Sequence, residues 1–300
     1  MPEGISQAGQ VTTQVRRQSE SGFVWPDEVP WSELGPDFIE TYGHDADGHP
    51  RGEHFEVTGQ SGSGKSYTIA TVMQQRASRW DTAELAVVTK NTDDSIPLLG
   101  WPEVSSYDEL RQSRYRQAVF WPRTSAQDEQ REVFHEQHIY ELLSQLWPAP
   151  GEQANILVYL DEVRYIEGLS RRLKKKVRMY WREGRSHGIS LIAGAQRPVE
   201  MVRDQHSESR WKAVFPPADE GDMQRFAELL GRWKDWQPVL ESLDQTAHQF
   251  VLRNTFTKDA FITWIDQELR PLPSQSPEAQ RKDGDKPEHI YGSQPKRGDR

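Results

Sequence analysis

The sequence contains no cysteine, which excludes disulfides, thiolate zinc sites and cysteine nucleophiles and fits a reducing compartment. Apolar residues are scarce: 35% of the 300 residues, low for a chain that folds throughout, so polar segments outside a core are expected. No apolar run approaches the length of a bilayer span, and the N-terminus has no apolar stretch of the secretory-signal kind. The protein is therefore not expected to be a membrane protein itself. Positive charge is also in deficit, with 37 Lys and Arg against 46 Asp and Glu and a formal net charge of -9. Contact with nucleic acid would have to come from a local patch. No internal repeat is present. Tryptophan alone is abundant, at 11 residues, as core or interface material.

What the chain does contain is Gly59-Gln60-Ser61-Gly62-Ser63-Gly64-Lys65-Ser66, which meets the phosphate-loop (Walker A) pattern G-x-x-x-x-G-K-[ST] at every fixed position. The glycines let the backbone curl so that N–H groups point inward at an anion. Lys65 would place an ammonium on the β- and γ-phosphates of ATP, and the Ser66 hydroxyl would hold Mg²⁺. The context fits. His54 to Thr58 reads as a strand, and Lys65 to Trp80 has Ile69, Val72 and Met73 at helical spacing, so the helix dipole points at the same phosphates.

The remaining elements alternate. Trp31 to Gly43 reads as a short helix, Glu84 to Lys90 as a strand, Asp93 to Trp101 as a loop and Gln117 to Trp121 as a strand. Ser125 opens a long helix to Trp147, with Asp128 at the capping-box position. Asn155 to Leu160 and Ser190 to Ala195 are buried strands flanking a helix over Gly168 to Gly184. Asp219 to Trp233 reads as a helix, and His248 to Arg253 with Asp259 to Ile265 as a terminal hairpin. The fold class expected is α/β, a RecA-like P-loop NTPase core with a mostly parallel sheet covered by helices on both faces, plus a C-terminal β-hairpin. The division expected is a polar N-terminal arm over residues 1–30, the ATPase domain over 31–270 and a disordered tail over 271–300. The His and Asp residues of Gly43 to Pro50 match no metal-ligand spacing and read as a polar turn.

The second signal is Ile156-Leu157-Val158-Tyr159-Leu160-Asp161-Glu162, a Walker B-like run. A buried strand delivers two acids at its carboxyl end, where ligands bind in such sheets. Asp161 would hold Mg²⁺, and Glu162 would polarise the water that attacks the γ-phosphate. One further strand, near Val119, is expected between the phosphate-loop unit and this one, an order similar to that of P-loop ATPases with an additional strand and a catalytic glutamate.

The third signal runs from Trp181 to Pro198, with Gly184-Arg185, Gly188, the strand Ser190 to Ala195 and Gln196-Arg197-Pro198. Together with the two nucleotide motifs it resembles the FtsK–HerA family of DNA-pumping ATPases, over about Phe55 to Gln196. The resemblance implies that Gln196 contacts the γ-phosphate or the attacking water, and that Arg185 is the first candidate for an arginine finger reaching a neighbouring subunit, with Arg182 and Arg197 as alternatives. It also implies a homo-oligomer, a hexameric ring in the first instance, acting on double-stranded DNA in the cytoplasm or, for a viral protein, in the virion. A capsid or membrane-vertex partner is a candidate for the arms. The chain departs from the large translocases: Thr89 to Asp94 carries no Asp-Pro-Lys type sequence, and no winged-helix domain is recognisable. This favours a small packaging or transfer motor over a chromosome pump.

The helix Leu169 to Arg182 puts Leu169, Leu173, Val177 and Trp181 on one face and Arg171, Lys175, Arg178 and Arg182 on another. Such a stripe serves DNA phosphates, a solvated face, or an acidic neighbour subunit. Three other functions compete with the DNA pump: a terminase-like packaging ATPase without its nuclease, an ATPase that powers secretion or filament assembly, and a nucleotide-gated scaffold.

Overall fold

The computed structural model describes residues 22–45, 51–90, 96–113, 115–197, 203–217 and 219–269. The expected arm up to Ser21, most of the turn before Arg51, Pro198 and the tail from Arg270 lie outside the described residues. In chain order the elements are β1 (Asp27–Glu28), α1 (Trp31–Thr41), β2 (His54–Thr58), α2 (Lys65–Arg79), β3 (Ala83–Val87), β4 (Glu103–Val104), α3 (Tyr107–Ser113), β5 (Gln117–Phe120), α4 (Asp128–Gln145), β6 (Ile156–Leu160), α5 (Val163–Leu169), α6 (Arg171–Glu183), β7 (Ile189–Ala195), α7 (Arg203–Glu208), β8 (Trp211–Val214), α8 (Glu220–Leu230), α9 (Trp233–Glu241), β9 (Phe250–Asn254) and β10 (Ala260–Thr263). Short 3-10 turns cover Ile96–Leu99 and Gly184–His187. No helix among the described residues is long and apolar enough to cross a membrane.

The strands form one sheet in the order β1-β10-β9-β8-β2-β7-β6-β3-β5-β4. From β8 to β4 every neighbouring pair is parallel, while β9 is antiparallel to both β8 and β10. The expected hairpin is thus present. Period-two alternation splits β3, β5, β6 and β7 between two cores, while β2 gives Phe55 and Val57 to the first and turns the buried polar His54, Glu56 and Thr58 the other way. Leu157 and Tyr159 of β6 join Phe55, Val57 and Ile192 under α1 and α2. Ile156, Val158 and Leu160 face the opposite way, against Leu142 of α4 and Val177 and Trp181 of α6. Each such aliphatic side chain contributes roughly 1.5–3 kcal/mol by leaving water. A third cluster packs α8 and α9 on β8, β9 and β10. The chain enters this structure before Trp31: β1 pairs with β10, and Phe23 packs edge-on against Trp236 at 5.1 Å.

Several elements depart from their expected form for local reasons. Ser125 does not open the long helix, which starts at Asp128, itself at φ 51°, and Gln127 makes no side-chain cap. The Thr124 hydroxyl instead accepts the N–H of Ala126 at 3.1 Å, turning the chain before the helix. The helix expected over Gly168 to Gly184 is two helices, because Ser170 is extended (φ −162°) and caps α6 by accepting the Leu173 N–H at 3.2 Å. Gly231 likewise ends α8, and a separate α9 follows. The strand β8 was hidden by Lys212, whose buried side chain lies 3.5 Å from the buried Glu56 carboxylate. Burial pushes that ammonium's pKa down, against the pull of Glu56. In chain order β5 lies between β2 and β6; in space it sits outside β3, and the strand that separates β2 from β6 is β7.

Candidate nucleotide site

Register brings the carboxyl ends of four strands to one edge. Thr58 of β2 is level with Ala195 of β7 and Val214 of β8, and Leu160 of β6 is level with Ala193. The loop Gly59 to Ser66 leaves β2 at this edge and enters α2. Gly59 is required by close approach: a Cβ there would lie 2.5 Å from Cβ of Phe215. Gly64, the N-cap of α2, has φ 101°, which side chains rarely adopt. Lys65 folds over the loop and donates to the Gln60 carbonyl at 2.6 Å. Lys65 and Ser66 line a cleft of about 1140 Å³, as do Ser61, Gly62 and Gly64.

Asp161, Glu162 and Gln196 line the same cleft. The ladder continues past β6, since Asp161 N–H donates to Val87 O at 3.0 Å. Asp161 is buried, and the Tyr159 hydroxyl donates to its Oδ1 at 3.0 Å. Lys90, at the end of the β3 segment, places Nζ 3.3 Å from Asp161 Oδ2 and 3.8 Å from Glu162 Oε1. Glu162 is left-handed, at φ 52° and ψ 53°, an uncommon conformation for this residue type that sets the turn into α5. The donor set of Ser66 hydroxyl and Asp161 carboxylate is hard oxygen, which suits Mg²⁺ completed by phosphate oxygens and water. Among the described residues no group of three His, Asp or Glu could hold a metal without a ligand's help.

None of the three arginines lines the cleft, although Arg197 directly follows Gln196 at the same edge. Arg185 lies in the turn that feeds the amino end of β7, across the sheet from the cleft, and pairs with Glu208 at 3.5 Å. Arg182 pairs with Asp204 at 2.9 Å, and Arg197 with Asp222 at 3.0 Å and Asp219 at 3.6 Å. The basic stripe of α6 is partly consumed in the same way: Arg172 binds Glu136, and Arg178 approaches Asp204 at 3.7 Å. Arg171, Lys174 and Lys175 are exposed and make no ion pair among the described residues.

Sequence reasoning missed other cleft residues. Lys90, Tyr67, Arg164, His248 and the segment 265–268 all line it. His248, at φ 53°, sets Nδ1 3.2 Å from Ser63 O and closes the outer side of the loop. Tyr67 and Arg164 adjoin the two nucleotide motifs, whereas only strand order brings Lys90, His248 and 265–268 to the same cleft.

No family model and no curated protein matches this sequence. Solved structures do. The DNA-packaging ATPase of Sulfolobus turreted icosahedral virus is 13% identical, with a TM-score of 0.51 over 72% of this chain and 98% of that one. The genome-packaging NTPase of Sulfolobus turreted icosahedral virus 2, in complex with AMPPCP, is 13% identical, with a TM-score of 0.50 over 72% of this chain and 99% of that one. The cytoplasmic domain of the type VII secretion ATPase EccC of Thermomonospora curvata is 16% identical, with a TM-score of 0.53 over 83% of this chain and 32% of that one. At these identities the likeness is one of fold. The chain shares the fold of these packaging and secretion ATPases.

Proposed function

We propose that this chain is an ATP-hydrolysing motor that moves double-stranded DNA, as in viral genome packaging or conjugative transfer. One observation carries the reading: the phosphate loop, the acidic pair of β6 and Gln196 of the intervening β7 line one cleft at the carboxyl edge of the sheet. Loop amides and Lys65 bind the β- and γ-phosphates, and Ser66 with Asp161 holds Mg²⁺, which neutralises phosphate charge. Glu162 takes the proton of the attacking water, and Gln196 orients that water or the γ-phosphate. The similar viral structure in complex with AMPPCP supports nucleotide binding. An arginine supplied by a neighbouring copy stabilises the charge that builds on the γ-phosphoryl oxygens, with Arg185 the first candidate, so the working form is a ring of copies. The place of action is the cytoplasm or a virion.

The test is ATP turnover by the purified chain with and without duplex DNA. Duplex should raise the rate several-fold, and an effect lost at high salt should return on dilution. Charge reversal at Arg171, Lys174 and Lys175 should remove the stimulation and leave the basal rate. A second reading, an ATPase whose cargo is protein, is favoured by the pairing of Arg172, Arg178 and Arg182 with acids of the same chain. Turnover indifferent to DNA at every salt concentration would select it.

A further inference from the structure

We propose that the segment 265–269, which leaves β10, is the wall that holds the base and ribose of the nucleotide; this rests on reading the cleft as a nucleoside triphosphate site. Strand order sets the polarity of the cleft. The acids leave β6, two places from β2 on one side, while β10 lies three places from β2 on the other. Two antiparallel pairings in succession return β10 to the direction of β2, so its carboxyl end opens on the same edge as the loop. Ile265, Asp266, Gln267 and Glu268 line the cleft that also contains Lys65 and Asp161. A triphosphate resting on the loop with its γ end at Asp161 and Glu162 therefore has its base end toward this segment.

The segment is tied down from both sides. Tyr67, the residue after Ser66, donates its hydroxyl to Gln267 O at 3.0 Å and accepts the Leu269 N–H at 2.7 Å. Gln75 donates to Gln267 Oε1 at 3.2 Å. Asp266 accepts the N–H of Ser32 at 2.8 Å and also its hydroxyl, and Trp31 N–H donates to Trp264 O at 3.0 Å. Ile265 and Leu269 pack on the core beneath α1 and α2, while Asp266, Gln267 and Glu268 are exposed. The Tyr67 hydroxyl spends its one proton and one lone pair on the same strap, so the register of that strap is single. An apolar side chain at Ile265, on a strap held in one register and lining the cleft, gives a planar base a fixed wall to rest on.

The experiment compares two ligands, ATP and inorganic tripolyphosphate, each with Mg²⁺, by calorimetry on the full chain. Tyr67→Phe should weaken ATP about tenfold, through lost ordering by two hydrogen bonds. It should leave tripolyphosphate within about twofold of the parent, since that probe has no base. Lys65→Ala should weaken both. If Tyr67→Phe weakens the two ligands equally, or neither, the strap does not hold the base, although the triphosphate site stands. If the parent binds neither ligand, the triphosphate reading itself fails and the strap with it. Hydrogen exchange on the unmutated chain is an independent check: ATP should slow the amides of residues 266–269 more than tripolyphosphate does, and equal protection overturns the proposal.

Discussion

The ammonium of Lys90 lies 3.3 Å from Oδ2 of Asp161 and 3.8 Å from Oε1 of Glu162, so one cation from the end of the β3 segment serves both carboxylates of the neighbouring strand. Two unit charges this close are worth ~4 kcal/mol at an effective dielectric of 20, and solvent around a one-third-exposed lysine leaves about 1 kcal/mol of that. Lys90→Ala should therefore make the acids more attractive to Mg²⁺. The Mg²⁺ concentration for half-maximal nucleotide binding should fall about threefold to tenfold, measured by titration with a fluorescent nucleotide. A rise instead would mean that Lys90 meets the phosphates.

Glu162→Gln should keep nucleotide binding within about twofold and lower turnover by about a hundredfold or more, because the amide cannot take a proton from water. Glu162 also sits at φ 52°, which costs a side-chain-bearing residue about 1 kcal/mol. Glu162→Gly should raise the melting temperature by a few degrees while removing turnover. Calorimetry and phosphate release check the two halves separately, and turnover that survives both changes would place the base elsewhere.

Two loop glycines should differ. Gly59→Ala drives a Cβ to 2.5 Å from Cβ of Phe215, whereas Gly62→Ala, at φ 79°, meets nothing within 4 Å. The first should cost about 1–3 kcal/mol of stability and most of the nucleotide affinity. The second should cost only about 1 kcal/mol. Urea unfolding of the two variants gives the order, and equal losses would contradict the contact with Phe215.

His54 is buried and neutral: Nδ1 accepts the Leu191 N–H at 3.1 Å, so Nε2 carries the proton and donates to Trp181 O at 3.0 Å. Burial first, then the charge of Arg185, pushes its pKa from 6.5 down to about 3. Between those values the unfolded chain takes up a proton that the folded chain refuses. The stability His54 allows is complete above pH 6.5 and is lost as pH falls toward 3, by about 1.4 kcal/mol per pH unit. His54→Gln should flatten the stability-against-pH curve by about one proton between about pH 6 and 4. An unchanged slope in urea unfolding across that range would contradict a neutral His54.

The parts of the site that are contiguous in the chain were readable from the sequence. The phosphate loop, the acids of β6 and the strand leading to Gln196 each announce themselves through local composition, and alternation within β6 and β7 told of burial on both faces. The rest depends on which strands are neighbours. Lys90 reads as a polar strand end until β3 is paired with β6, and β7 becomes the separating strand only once its register with both Thr58 and Leu160 is known. Lys212 masked β8 because a charged residue buried against Glu56 breaks the apolar pattern. The two-helix form of 163–183 turned on Ser170, a residue equally at home inside a helix surface and at its cap.

The cleft and Arg185 occupy opposite edges of one sheet. Strands of five residues at about 3.3 Å each set those edges about 17 Å apart. Copies standing at equal height with strands along a common axis would hold every Arg185 a full sheet's width away from every neighbouring γ-phosphate. A ring that uses this arginine between subunits must therefore lay its strands around the rim and not along the bore, so that the tail edge of one copy meets the head edge of the next. Such an assembly has a built-in sense of rotation, fixed by the polarity of the monomer's own backbone.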